Sequence, residues 1–146
     1  MTGVYVTGAN GFMGSRIVRA LLARGHAVTA LVGADIDATS LAGLDVELRP
    51  FDLLDESSVE SALEGGRMLI HNAACYQFWN PDRERIYRVN VEGTRRVLRA
   101  AERLGYRRVV YTSSATTLLP AVAGAPGPRR PSTTCAASTA TTSRPR

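Results

Sequence analysis

"VTGANGFMGSR", residues 6–16, decides how the rest of the chain is read. Gly8, Gly11 and Gly14 form a Gly-x-x-Gly-x-x-Gly array. A glycine triplet alone is weak evidence. Here it follows a short apolar run, "GVYVT" (3–7), and opens "FMGSRIVRALLARG" (12–25), where Ile17 and Leu21 keep helical spacing and Gly25 is a helix stop. Strand, glycine turn and helix in that order are the context a dinucleotide-binding turn requires. Gly8 permits the tight turn, Gly11 lets backbone approach a pyrophosphate, and Gly14 allows the helix to pack closely on the strand. The amides at the start of the helix then face the phosphates. The bland alternative is a βα turn that needs glycine only for its shape.

Outward from that turn, short apolar runs alternate with helical patterns. "AVTALV" (27–32) reads as a second strand and "VELRPFD" (46–52) as a short third strand with a loop. "DESSVESALEGG" (55–66) reads as a helix with Asp55 as N-cap, and "RMLIHNAA" (67–74) as a fourth strand. "NPDRERIYRVNVEGTRRVLRAAERLGY" (80–106) predicts one long helix, capped by Asn80 with Pro81 in its first turn. Ile86, Asn90, Gly93, Val97, Ala101 and Leu104 fall on one face of it. "RRVVYTSS" (107–114) predicts a fifth strand. Strands alternating with helices mean parallel βαβ units, so the fold class is α/β with a doubly wound parallel sheet. Nearly continuous Val, Ile and Leu in the strands fit a sheet covered on both faces.

After Leu119 the character changes. Residues 120–146 are mostly Ala, Pro, Thr, Ser, Arg and Gly, and Val122 is the only aliphatic residue larger than alanine. Such a segment buries too little surface to offset the entropy of ordering it. The expected organisation is therefore a nucleotide-binding domain over 1–118 and a disordered tail over 119–146. The formal charge of +5 divides unevenly, with +1 on residues 1–118 and +4 on the last 28. The tail has neither aromatics nor a dense charge run, so nucleic acid is not an expected partner. No apolar run suits a membrane span, and no secretory leader is read at the N-terminus, which points to the cytoplasm. Cys75 and Cys135 suggest neither a disulfide framework nor a metal site. A fifth strand without a further neighbour would leave an open edge and invite self-association.

These residues carry a resemblance. Thr-Gly-x-x-Gly-x-x-Gly, "DLLD", "LIHNAA", "YRVNVEGTRRVL" and "VVYTSSAT" resemble, in order, the successive blocks of the extended short-chain dehydrogenase/reductases, the NAD-dependent epimerase/dehydratase family. "HNAACYQFWNPDRERIYRVNVEGT" (71–94) is similar to the hopanoid-associated sugar epimerases among its dihydroflavonol-reductase-like members. The resemblance covers about residues 2–119. It implies a Rossmann sheet stopping after the fifth strand, short of the family's last strands and substrate-binding region. It implies that Gly8, Gly11 and Gly14 hold a pyrophosphate, with backbone contacts from Phe12 and Met13. Asp52 and Leu53 would border the adenine, and Ala73 and Ala74 the ribose and nicotinamide side. Asn90 would be a structural polar residue, and Ser114 matches the catalytic serine. Asp52 has a plainer alternative as the start of a turn.

The end of the second strand should choose between NAD and NADP. A carboxylate there binds the ribose hydroxyls, and an arginine accepts a 2′-phosphate. Val32 and Gly33 do neither, which leaves Arg16 to reach a phosphate or Asp35 to reach a ribose. The balance leans to NADP.

The family couples hydride transfer to a tyrosine four residues before a lysine. This chain has no lysine at all and no tyrosine after Tyr111. A positioned proton-transfer group contributes about 10²–10⁴-fold, so redox or epimerase turnover is not expected. A shifted reading frame would account for the loss. Read one base earlier, "STATTSRPR" (138–146) permits a tyrosine at Thr142 and a lysine at Arg146, the family's spacing; the coding DNA decides this. Three functional readings follow: a non-catalytic dinucleotide binder, an enzyme completed by another chain, or a dinucleotide sensor.

Overall fold

Two of the sheet's inner strands, residues 4–7 and 28–32, are buried at every position and so on both faces. The computed structural model describes residues 3–33, 37–76 and 82–114. The chain divides into two units, Met1–Thr112 and Ser113–Arg146, and the sheet belongs to the first. Its elements run β1 (Val4–Thr7), α1 (Phe12–Leu22), β2 (Val28–Val32), β3 (Glu47–Pro50), α2 (Glu56–Leu63), β4 (Met68–His71), α3 (Arg83–Tyr87), α4 (Thr94–Arg103) and β5 (Arg108–Tyr111). All four strand pairs are parallel, in the order β3-β2-β1-β4-β5. The predicted doubly wound sheet is therefore present. The order reverses between β1 and β4, where an open α/β sheet forms its ligand crevice.

Alternation along the strands sorts the core into two layers. Val4, Val6, Val28, Ala30 and Val32 pack with Val18 of α1 and Leu41. Tyr5, Leu31 and Leu69 point the other way and pack with Val59, Ala62 and Leu63 of α2 and Val97, Ala100 and Ala101 of α4. At the edge beyond β4, Val109, Val110 and Tyr111 of β5 are exposed on both faces.

The predicted long helix is not one regular helix. A π-helical stretch, Arg88–Gly93, separates α3 from α4. Among the described residues the helix is capped by Asp82, whose side chain accepts from the Arg85 amide at 3.0 Å. Asn80 and Pro81, expected there, lie outside the described residues, as do Asp35, Cys135 and the 119–146 tail. Gly93, Val97 and Ala101 are buried as expected, but Leu104 is 39% exposed. The helix ends at Arg103, so Leu104 leaves the stripe and Tyr106 packs against that core layer instead. Asp55 caps α2 as read, accepting from the Ser57 amide. No helix among the described residues is long and apolar enough to cross a membrane.

The carboxyl end of α2 is closed by side chains from β1, β3 and the segment just before β5. The last carbonyls of a helix have no partner within it. Here Tyr106 donates to the Leu63 carbonyl at 2.7 Å and Tyr5 to the Glu64 carbonyl at 2.9 Å. Arg49 reaches the Ala62 and Glu64 carbonyls at 3.1 and 3.0 Å. The two tyrosine rings meet edge to face at 6.1 Å. Burial raises the Tyr106 phenol well above its ordinary range, so it stays a donor. Tyr106→Phe keeps the ring but removes the shorter of two hydrogen bonds to the Leu63 carbonyl, leaving the Gly66 amide at 3.3 Å. It should lower unfolding free energy by about 1 kcal/mol, measured by urea denaturation, with no change in any ligand affinity.

Candidate functional site

The crevice at the order reversal is built from the ends of β1 and β4. Gly8 follows Thr7 with φ +64°, a left-handed conformation that side chains rarely adopt. A Cβ on Gly8 would lie 2.8 Å from the Ala73 Cα and 2.9 Å from its nitrogen. A Cβ on Gly14 would lie 2.8 Å from the Ala9 Cα and would strike the Gly8 carbonyl oxygen. Gly8 and Gly14 are thus required by close backbone passage, one toward β4 and one between α1 and the turn. Gly11 differs. It is the N-cap of α1 at φ −71°, ψ 170°, and a Cβ there would meet only the Gly8 oxygen at 3.3 Å. Gly11 is thus less crowded than Gly8 or Gly14, with one backbone oxygen close by. The first-turn amides of Phe12 and Met13 have no carbonyl one turn back to bond, and both side chains are exposed.

A buried polar chain fastens the two strand ends. The Thr7 hydroxyl lies 2.7 Å from His71 Nδ1, and the Asn72 and Ala73 amides both donate to Thr7 Oγ1 at 3.1 Å. His71 Nε2 lies 3.0 Å from Thr94 Oγ1 on α4. Tyr111 of β5 stacks on the imidazole with ring centres 5.5 Å apart. Thr7 and His71 are both fully buried. Burial pushes the His71 pKa down from 6.5 to about 4, so the ring is neutral at pH 7.

The remaining predicted residues follow the strand ends. Asp52 and Leu53 come after β3. Asp52 Oδ1 accepts from the Leu54 amide at 2.8 Å, the turn-starting geometry its plainer alternative described. Leu53 packs against Gly93, whose added Cβ would lie 3.1 Å from it. Ala74 is exposed beside Ala73. Asn90 grips Cys75, accepting from its amide at 2.7 Å and donating to its carbonyl at 2.8 Å, and so holds the chain after β4. Val32 ends β2, and Arg16 sits exposed with its guanidinium 4.6 Å from the Phe12 ring centre. Ser114 lies three residues past β5 and belongs to the second unit. Among the described residues no three His, Cys, Asp or Glu side chains converge as a metal site would require.

Sequence reasoning passed over His71, Thr7, Thr94 and Asn10. The first two are polar residues closing apolar strand runs, "VYVT" and "MLIH", and that interruption was the available signal. Asn10 donates to the Asp37 carbonyl at 3.1 Å, and Ser40 donates to the Asn10 carbonyl at 2.7 Å. These bonds tie the glycine turn to the chain after β2, a pairing no spacing announces.

Glycine turn, order reversal and parallel strand order together define a Rossmann-type domain. The chain matches the NAD dependent epimerase/dehydratase family over residues 4–144 and belongs to it. That match continues into the Ala-, Pro- and Arg-rich segment which the sequence alone sets apart from the family. The chain is 48% identical over 109 residues to sterol demethylase protein B of Methylococcus capsulatus, covering 75% of this chain and 33% of that protein. It is 39% identical over 118 residues to cinnamoyl-CoA reductase 1 of Oryza sativa, covering 76% and 34%. A solved structure of a short-chain dehydrogenase/reductase superfamily protein from Agrobacterium tumefaciens, with bound NAD, superposes with TM-score 0.68 at 34% identity, covering 79% of this chain and 33% of that one. The chain spans about a third of the length of the curated relatives it matches.

The His71 shift fixes a stability profile. A proton binds the unfolded ring near pH 6.5 and the folded one only near pH 4. Stability is therefore complete above about pH 6.5 and declines as pH falls between those values. The decline amounts to about 3 kcal/mol by pH 4. His71→Asn should remove this component. Denaturant titrations at pH 7 and pH 4.5 should show the native chain losing about 2–3 kcal/mol more than the variant.

Proposed function

We propose that residues 1–118 are the dinucleotide-binding part of an NAD(P)-dependent epimerase- or reductase-type protein. The carrying observation is the cradle in which Gly8 and Gly14 are forced by close backbone contacts, while at Gly11 an added Cβ would meet a single backbone oxygen, that of Gly8, at 3.3 Å. In this reading the pyrophosphate lies over Gly11 and the Phe12 and Met13 amides. The adenine lies by Asp52 and Leu53, and the nicotinamide-side ribose by Ala73 and Ala74. The dinucleotide supplies hydride chemistry when bound; the residues named here bind and orient it. Ser114 is the family's serine position, offering a hydroxyl to a substrate oxygen. The tyrosine–lysine pair that would move the proton is absent from these 146 residues. The proposed activity is therefore binding without turnover, with NADP favoured through the exposed Arg16. The second reading, an enzyme completed by another chain, rests on the same missing pair.

Titration with NADH and NADPH, followed by nicotinamide fluorescence, tests the reading. Saturable binding, tighter for NADPH, is expected, and no oxidation or epimerisation of ketone or sugar-nucleotide substrates. No saturation in the millimolar range overturns binding, and turnover favours the second reading. Gly11→Ala should weaken binding about tenfold or more, about 1.4 kcal/mol, with a smaller loss of melting temperature than Gly14→Ala, since its Cβ meets only the Gly8 oxygen at 3.3 Å. Gly14→Ala should lower the melting temperature itself, because its Cβ meets backbone that cannot yield.

We also propose self-association through β5, which among the described residues pairs only with β4 and exposes Val110 at 49%. Sedimentation velocity should show concentration-dependent oligomers, suppressed by Val110→Lys, since a charge on an edge strand blocks pairing. A monodisperse monomer at all concentrations overturns this.

A further inference from the structure

The buried chain from Thr7 to Thr94 obeys a donor count. A threonine hydroxyl has one proton to give and two lone pairs to offer. Three groups surround Thr7 Oγ1: His71 Nδ1 at 2.7 Å, and the Asn72 and Ala73 amides at 3.1 Å each. Backbone amides only donate, so they take both lone pairs. The hydroxyl proton must then go to His71 Nδ1, which is consequently unprotonated. The ring's one proton sits on Nε2 and is donated to Thr94 Oγ1 at 3.0 Å. Every polar atom in the chain has a complementary partner, and no buried side-chain nitrogen or oxygen among the described residues is left without one.

The arrangement has a consequence for the crevice. Ala73 is the residue whose backbone passes within van der Waals reach of Gly8. Its amide is held by Thr7 in the residue position directly before Gly8, so one side chain sets both walls of the narrowest point. Without an acceptor at Nδ1, the Thr7 proton has no partner on that side. The hydroxyl would rotate to find one, and one amide would lose its lone pair. The loop carrying Ala73 and Ala74 would then be released from the turn carrying Gly8.

We propose that His71 is a positioning residue for dinucleotide binding: by accepting the Thr7 hydroxyl proton it locks the Asn72–Ala73 amides onto Thr7 and sets the width of the crevice between Gly8 and Ala73. The inference rests on the dinucleotide reading above and adds to it a residue that does not touch the ligand. His71 acts through Thr7, while its Nε2 contact with Thr94 and the stack with Tyr111 hold the ring plane.

Four variants of the full chain test this at pH 7.5, each checked by circular dichroism to be folded at the measuring temperature. NADH affinity and amide hydrogen exchange at Asn72 and Ala73 are read together. His71→Leu removes the acceptor and Thr7→Val removes the hydroxyl. Each should weaken NADH binding about tenfold and speed exchange at Ala73 about tenfold or more. His71→Asn places an amide oxygen near the Nδ1 position, and should restore both readouts to within about threefold of native. Thr94→Val cuts only the far end, and should leave affinity within about threefold. A purely structural role for His71 would lower melting temperature in His71→Leu and His71→Asn alike, without selective rescue. Folded His71→Leu and Thr7→Val proteins that bind NADH as the native chain does would overturn the inference. So would an asparagine variant as weak as the leucine one. If His71→Leu does not fold, Thr7→Val, close in shape to threonine, decides alone. If the native chain binds no NADH, the dinucleotide reading falls. The exchange rates then still decide whether His71 orients Thr7: unchanged protection at Ala73 in Thr7→Val ends that role too.

Discussion

The chain after β1 and the chain after β4 pass each other with no room for a side chain, and the carboxyl edge of this sheet is arranged around that passage. Gly8 sits against the Ala73 backbone, and Gly14 brings α1 down onto Gly8 and Ala9. A methyl group at either glycine would have to displace backbone, which packed interiors resist. The closeness is what leaves the first-turn amides of α1 beside the crevice, where the strand order reverses. It also explains why the hydroxyl immediately before Gly8 matters. Thr7 is the nearest side chain able to hold the opposite wall, and it does so through two backbone amides.

The fold was legible because its determinants are local. β1, β2, β4 and β5 are short runs rich in β-branched or aliphatic residues, α1, α2 and α4 each bury one side, and Gly8, Asp55 and Gly25 carry their signals in their own identity. The two-sided burial of β1 and β2 appears as runs that are apolar apart from Thr7 and Thr29, and the structure sorts the apolar residues into two layers as the period of two requires. The helix after β4 was read less well. Its periodicity assumes 3.6 residues per turn, and the π-helical stretch Arg88–Gly93 shifts the phase, while Leu104 falls beyond the last turn. An extra residue in a helical turn leaves no mark on composition or spacing. The polar chain was illegible for a different reason. Thr7, His71 and Thr94 are 64 and 23 residues apart in sequence, and only strand register and helix packing bring them together.

The candidate site was half legible for the same reason. Gly8, Gly11 and Gly14 share one turn, so their spacing encodes their geometry. Asp52 was recognised by type and context, and the structure gives its carboxylate a local task, accepting from Leu54. Asn90, read as structural, has a specific one: both its amide atoms engage the Cys75 backbone, as a side chain mimicking a neighbouring strand would. The two asparagines Asn10 and Asn90 thus brace the loops flanking the crevice, one toward the chain after β2 and one toward the chain after β4.

The binding without turnover proposed for residues of this domain is physically coherent. A pyrophosphate held by oriented amides and a helix terminus is stabilised equally before and during reaction. Interactions of that kind set affinity and add nothing to the rate. Rate comes from groups that act only as charge and protons move, and here the proton-transfer pair is missing from the sequence. Arginine cannot stand in for the lysine: its guanidinium stays charged but presents a broad planar fork, not a compact ammonium that fits between a ribose and a phenol. The buried His71 does not substitute for the tyrosine either. Both its ring nitrogens are committed within the protein, to Thr7 and Thr94, and burial holds it neutral down to about pH 4. A histidine so placed shapes the crevice and has no free nitrogen with which to exchange a proton there.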